Sequence, residues 1–395
     1  MIKKYISLLH FLAFAHFTQA QTFIQAYQDK ANKISQTNIN TYLQEFEALG
    51  IKRTGTTQNT NAFNWIKNKY TSFGYTTANF QEHSWTNGSF SSKNFIVTKT
   101  GTLYPNKFVI VCGHFDSING PGTNDNGSGT SIILELARIL KDVPTDYSIK
   151  FIHFSGEEQG LLGSSRYVSQ IVNGTSPKMD IKVVVNLDQV GGLATKANTK
   201  IYCDKDQSSP TSNNAAAALV VQELANCTTL YSPLGVDFDP AESTDYVPFQ
   251  QNGEIITGFW EYEGGYNNPY VHTANDLYIN MDPVYVYNVG KAAVGAIQHF
   301  AVASAATLAT EDIATSKILE SVEFSPNPAN NILNLKMIGN ASKTFTFEIT
   351  DMSGSQIMMS KQNTNTIDIS HLKPGVYLGT ITMEHEKVTK KIIVE

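Results

Sequence analysis

Phe154-Ser-Gly-Glu-Glu-Gln-Gly-Leu-Leu-Gly-Ser164 follows a short, mostly apolar run, Ile149-Lys-Phe-Ile-His-Phe154, whose pattern predicts a buried strand. Leu161, Leu162, Tyr167 and Val168 then recur at roughly helical spacing, so a helix is expected next. The turn between them carries two adjacent carboxylates, Glu157 and Glu158, at the carboxyl end of a strand. That is where ligands bind in open α/β sheets. Neighbouring glutamates repel, and a structural turn has no need of them. A metal ion relieves the repulsion if one carboxylate binds it and the other takes a proton from activated water. An isolated Glu-Glu pair is more often an exposed acidic turn, so the reading depends on partners elsewhere in the chain.

Outward from this stretch, strands and helices alternate. Phe108-Val-Ile-Val-Cys112 is fully apolar, the mark of a central strand, and a helix is expected over 128–140. Strands follow at 181–187, 200–203 and 254–260, with helices over 213–225 and 283–302. Upstream, helices are expected over 34–49 and 59–73, and strands over 75–85 and 94–99, with Asn87-Gly88 as a hairpin signal. This order predicts an α/β fold: a mostly parallel mixed sheet with helices on both faces. An Ala/Thr/Ser-rich linker comes next, and from Ile318 short alternating segments separated by turn residues predict a small all-β sandwich. The expected division is 1–20, 21–303, a linker at 304–317, and 318–395.

Composition narrows the function classes. The 395 residues suit two domains, and 41% hydrophobic with 16% charged residues fits a globular core. A formal net charge of −6, without basic runs, argues against nucleic acid as partner. Lys3 and Lys4 precede an apolar run to Phe17, and Thr18-Gln-Ala20 supplies small residues before Gln21. This is the pattern of a secretory signal peptide, too short for a membrane span, and no other stretch is apolar enough to serve as a transmembrane segment. The protein is therefore expected to be exported. Cys112 reads as a buried thiol; Cys203 and Cys227 could pair in an oxidising compartment, but the reading favours free thiols.

Four further motifs supply partners for the glutamates. Gly113-His-Phe-Asp-Ser117 places His114 beyond a strand end, with Asp116 two residues on, an arrangement that suits a metal ligand oriented by a carboxylate. Pro121-Gly-Thr-Asn-Asp-Asn-Gly-Ser-Gly129 sets Asp125 near a helix N-terminus, where the alternative role is simple capping. Asp188 ends the apolar strand in Val184-Val-Asn-Leu-Asp-Gln-Val-Gly191, and His272 lies in the loop Pro269-Tyr-Val-His-Thr-Ala-Asn-Asp276. A parallel sheet would bring the ends of three of these strands to one rim. Two histidines with carboxylates and no cysteine suit zinc and hydrolytic chemistry, and two ions roughly 3.5–4 Å apart could act together.

The ordered set of these motifs, over residues 34–302, resembles the dinuclear-zinc aminopeptidases of the bacterial leucyl aminopeptidase type. The resemblance implies two Zn2+ ions bridged by Asp125, one completed by Glu158 and His272, the other by His114 and Asp188. Glu157 would be the general base, and Asp116 would orient His114. The family also uses a tyrosine hydroxyl to steady the oxyanion. Val271 stands at the usual place, so Tyr270, Tyr231, Tyr246 and Tyr262 are the candidates. Glu242-Ser-Thr-Asp-Tyr-Val-Pro-Phe249 is similar to a Ser-Asp-His segment of the family, with Tyr246 in place of the His.

Residues 318–395, with F-S-P-N-P-A, D-M-S-G and I-D-I-S-H-L-K-P-G-V-Y-L, resemble the C-terminal sorting domain of the type IX secretion system. This implies secretion machinery as a partner and a secreted or cell-surface location. A carbohydrate-binding sandwich would instead need an exposed aromatic platform, for which only Phe324, Phe345, Phe347 and Tyr377 are available. The expected activity is a secreted metallo-aminopeptidase acting on peptide or protein N-termini. A single-zinc glutaminyl cyclase is the alternative in the same fold, and a non-catalytic binding ectodomain the alternative of another class.

Overall fold

The order of apolar runs is realised as one sheet wrapped by helices. The computed structural model describes residues 21–262, 264, 267–304, 323–336, 345–351, 356–362, 366–383 and 386–395. It forms two compact units, 1–308 and 309–395. In the first, the elements are α1 (Gln25–Ala31), α2 (Gln36–Ala48), α3 (Thr57–Ser72), β1 (Phe80–Asn87), β2 (Phe90–Lys99), β3 (Tyr104–His114), α4 (Gly127–Leu140) and β4 (Tyr147–Phe154). They continue as α5 (Leu162–Tyr167), β5 (Asp180–Leu187), β6 (Lys200–Lys205), α6 (Asn214–Tyr231), β7 (Gly235–Pro240), α7 (Val247–Gln251), β8 (Ile256–Glu261) and α8 (Pro283–Ala301).

The sheet order is β1-β2-β4-β3-β5-β8-β6-β7. β4, β3, β5 and β8 run parallel, while β1, β2 and β6 turn antiparallel to their inner neighbours. The central strands are buried on both faces, which is why they read as continuous apolar runs. One face, with Val109, Val111, Phe151 and Val185, packs in the core that contains α2, α3, α4, α6 and α8. The other, with Ile110, Cys112, Ile152 and Val184, meets Tyr167 and Phe249 of α5 and α7. Side-chain caps fix the helix starts: Ser35 on α2, Thr56 on α3, Asn126 on α4, and Asp282 with Pro283 on α8.

Local differences from expectation have local causes. β1 begins at Phe80 rather than at 75, because Asn79 Oδ1 accepts from Thr76 N and closes a turn there. The stretch 235–240, between the expected helix at 213–225 and the expected strand at 254–260, is the edge strand β7, paired with β6. α1 has too short a pattern to read. It docks on α8, where Tyr27 Oη donates to Ala303 O (2.6 Å) and Gln298 Nε2 donates to Tyr27 O (3.1 Å). Ile24 N donates to Tyr231 Oη (3.0 Å), so this first segment is stapled to α6 and α8.

The second unit contains β9 (Glu323–Ser325), β10 (Ile332–Lys336), β11 (Phe345–Asp351), β12 (Gln356–Gln362), β13 (Thr366–Asp368), β14 (Gly375–Met383) and β15 (Glu386–Val394). They make two antiparallel sheets, β13-β10-β9 and β12-β11-β14-β15, around Leu333, Leu335, Phe347, Ile349, Ile367 and Ile381. Phe347 is core and Phe324 and Tyr377 pack against it, which takes them from the aromatic platform a carbohydrate site would need. The expected signal peptide, 1–20, and most of the linker, 304–317, lie outside the described residues. Among the described residues no helix is long and apolar enough to cross a membrane. Cys112, Cys203 and Cys227 are buried free thiols.

Candidate active site

β4, β3 and β5 are neighbours and parallel, so their carboxyl ends lie side by side. His114 is the last residue of β3, Glu157 and Glu158 follow β4, and Asp188 is the first residue after β5. Asp125 comes from the loop that enters α4, and His272 from the loop between β8 and α8 at φ +57°. The α4 cap is Asn126, whose side chain accepts from Gly129 N. Asp125 is therefore not needed for capping.

Two ligand sets form around the shared Asp125: His114, Asp125 and Asp188, all buried, and Asp125, Glu158 and His272, with His272 half-exposed. His114 Nε2 lies 3.1 Å from Asp125 Oδ1 and 3.3 Å from Asp188 Oδ1. His272 Nε2 lies 3.0 Å from both Asp125 Oδ2 and Glu158 Oε2. Yet Asp125 Oδ2 and Asp188 Oδ1, close to imidazole nitrogens and fully buried, make no hydrogen bond, and neither does Glu158 Oε1. Buried carboxylate oxygens are rarely left so. Imidazoles and carboxylates that sit close without bonding one another are aimed at a common point, and this donor set fits a divalent cation in each cluster.

The electrostatics reflect the crowding. Burial opposes charge on His114, but Asp188 and Glu157 hold its pKa well above the usual range. The Asp125 and Glu158 carboxylates, each 3.0 Å from its Nε2, raise His272 to about 10. Burial lifts Glu158 to about 7 and pushes Glu157 well above the usual carboxylate range, with Asp188 adding to the rise at Glu157.

Asp116 departs from its expected contact. His114 Nδ1 faces the backbone carbonyl of Asp116 at 3.1 Å, while the carboxylate stands 3.7 Å away. The carboxylate instead accepts from Glu157 N (3.2 Å) and Glu158 N (3.3 Å), so its direct hold is on the glutamate turn, with the imidazole held by the main chain. A loop after a strand offers unpaired N–H groups, and these outcompeted the imidazole.

Several positioning residues were invisible in the motifs. Asn94, fully buried in β2, accepts from Ser155 N (3.2 Å) and Trp85 Nε1 (3.1 Å) and donates to Gly163 O (2.9 Å). One amide thus pins both ends of the loop that carries the two glutamates. Gly156, at φ +84°, lies so close to the Trp85 ring that a Cβ would stand 2.7 Å from it. Thr244 Oγ1 donates to Asp188 Oδ2 (2.5 Å) and accepts from Asn186 Nδ2 (3.1 Å), leaving Oδ1 for a ligand. Asp276 accepts from Asn124 N (2.7 Å) and Asp125 N (3.0 Å). Its only signal was a position four residues after His272. Of the tyrosine candidates, Tyr246 Oη is engaged with Asp204 Oδ2 (3.0 Å) and Tyr231 Oη with His299 (2.8 Å). Tyr262 lies tilted against Tyr202, with ring centroids 4.9 Å apart at 49°, and Tyr270 sits in the loop beside His272.

Comparison with known proteins finds relatives of both units. Residues 94–297 match Peptidase family M28, and residues 324–395 match the Secretion system C-terminal sorting domain, which points to secretion. Aminopeptidase YwaD of Bacillus subtilis is 35% identical over 194 residues, 47% of this chain and 40% of its own length. The chain spans less than half the length of the first curated relatives it matches. The LapA aminopeptidase of Legionella pneumophila shares the fold, with TM-score 0.61 and 20% identity over 76% of this chain and 80% of that one. So does the glutaminyl cyclase of Porphyromonas gingivalis, with TM-score 0.55 and 19% identity over 67% and 98%.

Proposed function

The chain belongs to Peptidase family M28, and from that premise we propose that it is an exported aminopeptidase with a two-zinc centre, releasing N-terminal residues from peptides. Export would use the type IX machinery, read through the sorting domain. The observation that carries the reading is the pair of ligand sets sharing Asp125, each with buried carboxylate oxygens left unbonded. His114 and Asp188 would hold one ion, Glu158 and His272 the other, with Asp125 common to both. Ions bound there would polarise the scissile carbonyl and make water acidic enough to attack near neutral pH.

The chain's own groups do the rest. Glu157 takes a proton from the attacking water and returns it to the leaving amine; a buried carboxyl with a raised affinity for protons suits both halves of that exchange. Asp116 fixes the Glu157 and Glu158 main-chain N–H groups, and Thr244 fixes Asp188. The free α-amino group of the substrate would be received beside Glu158 and Asp188.

A single-ion glutaminyl cyclase shares the fold but has no use for a second complete ligand set. Metal analysis with aminoacyl-arylamide and N-terminal glutaminyl substrates separates the two. Two zinc ions per chain, activity abolished by chelation and restored by zinc, and arylamide turnover are expected. One ion at full activity with cyclised product would overturn this reading.

A further inference from the structure

His83 lies in β1, which β2 separates from β4, and the chemistry above gives it no part. It is buried, with its ring edge-on to Tyr167 at 5.8 Å between centroids. Its two nitrogens face different partners. Nε2 lies 2.9 Å from Gln170 Oε1, and Nδ1 lies 3.1 Å from Asn94 Nδ2. Asn94 is the amide that pins the glutamate loop at Ser155 and Gly163, so His83 touches the anchor of that loop.

The partners fix every proton in this row of contacts. Ser155 N and Trp85 Nε1 can only donate, and both point at one end of the Asn94 amide, which must be its oxygen. Gly163 O can only accept, so the other end is the NH2 group, whose second hydrogen goes to His83 Nδ1. Nδ1 is therefore unprotonated, and Nε2 carries the hydrogen that Gln170 Oε1 accepts. An imidazolium has no lone pair to offer. A proton on Nδ1 would confront the Asn94 NH2 group. Turning the amide over would set that group against Ser155 N and Trp85 Nε1 instead, so in either orientation the loop loses contacts that hold it.

We propose that neutral His83 is a positioning residue that sets the Asn94 amide, and that its protonation loosens the glutamate loop and lowers activity as pH falls. The inference rests on the aminopeptidase reading above. The surroundings favour a neutral ring at neutral pH. Burial lowers the pKa of His83, against a smaller rise from Gln170. The charged groups around it are engaged elsewhere. Glu82 of β1 pairs with Lys67 and with Lys93 of β2, and Arg166 of α5 donates to Asn87 Oδ1 (2.9 Å). Burial keeps Tyr167 protonated, and the turn Val168–Val172 carries no charged residue.

The test follows the indole N–H resonance of Trp85, whose acceptor is Asn94 Oδ1, beside the pH profile of kcat/KM for an aminoacyl arylamide. Replacing each of the three tryptophans in turn by phenylalanine assigns the signal. Gln170→Glu sets a carboxylate against Nε2, so the indole transition and the acid limb of the profile should move up together by about one pH unit. The plateau near neutral pH should not change. His83→Asn keeps an acceptor near the place of Nδ1 but takes up no proton, so the indole transition should disappear. Gln170 is exposed, so its variant carries the test even if the buried substitution misfolds. A Trp85 resonance that does not titrate in Gln170→Glu, or one that titrates while the acid limb stays in place, overturns this inference alone. Absence of arylamide turnover at every pH overturns the aminopeptidase reading, and the resonance still decides whether His83 sets the amide.

Discussion

β3 and β4 end on almost the same letters, Gly113-His-Phe-Asp116 and Ile152-His-Phe-Ser155, yet the two histidines have opposite fates. Gly113 pairs with His153, and His114 with Phe154, so the histidines are out of step by one residue. In a strand that single step sends a side chain to the other face. His114 meets Asp125 and Asp188; His153 meets α3, where Tyr70 Oη lies 3.0 Å from its Nε2. Both are buried. Burial alone drives His153 down to about 3, whereas neighbouring carboxylates hold His114 well above its ordinary value. What sets His114 apart is the carboxylates the loops bring to it, and a buried imidazole without that company is only an internal polar group.

The largest expected effect tests the loop beside these strands. Glu157→Gln should keep zinc content near normal while turnover falls by roughly 10²–10⁴-fold, the range for loss of a general base. Glu158→Gln should lose zinc and regain part of its activity when zinc is added in excess, since a binding defect yields to mass action. Rescue of Glu157→Gln by zinc, with Glu158→Gln beyond rescue, would reverse the two roles.

A smaller contrast separates the two ligand sets. His114→Ala removes a ligand from the set buried at all three positions, so dialysed protein should retain less than one tightly held ion. His272→Ala opens the half-exposed set, and metal analysis should find the other ion still bound. Equal zinc loss in both variants would mean that the sets do not bind independently.

Asn94→Leu is expected to act more mildly, lowering kcat by about 10–100-fold, the usual range for groups that orient ligands, with the far-ultraviolet circular dichroism unchanged. Full activity in a folded variant would show that Ser155 and Gly163 hold the loop without it.

His153 supplies the smallest effect and the control. Its folded pKa of about 3 lies below the 6.5 of an unperturbed imidazole, so between these values the unfolded chain binds the extra proton. Stability should therefore fall as pH drops from 6.5 toward 3, at a limiting slope of ~1.4 kcal/mol per pH unit. Denaturant titrations of His153→Leu should show a shallower loss over that window, with zinc content unaffected. A change in zinc content would join His153 to the site and erase the contrast with His114.

Much of this architecture was legible because the central strands are apolar without interruption and carry chemistry only at their ends. Phe108 to Cys112 and Val183 to Val185 announce strands, and His114 and Asp188 stand directly beyond them. β7 was hidden because an edge strand with alternating Asp237 and Asp239 has a loop's composition. Asn94, Thr244 and Asp276 were hidden for a different reason. Each acts through one amide, hydroxyl or carboxylate on a main chain or side chain far away in sequence, and such pairings have no local signature. Asp116 shows the limit of motif reading most clearly: its spacing from His114 suggested a partner, but the fold gave its carboxylate the nearer N–H groups of Glu157 and Glu158.

The staple between α1 and α8 brings residues near both ends of the first unit into contact, through Tyr27, Gln298 and Ala303. Its connectivity is that of a ring opened at one point, and nothing in the packing of the sheet depends on where the opening falls. A circular permutant that joins residue 21 to residue 304 through a short spacer, with new termini in the exposed turn at 173–176, should keep the sheet order and the ligand rim. The same closure orders events during folding, because a chain made from its amino end cannot seat α1 until α8, the last helix of the unit, has been made.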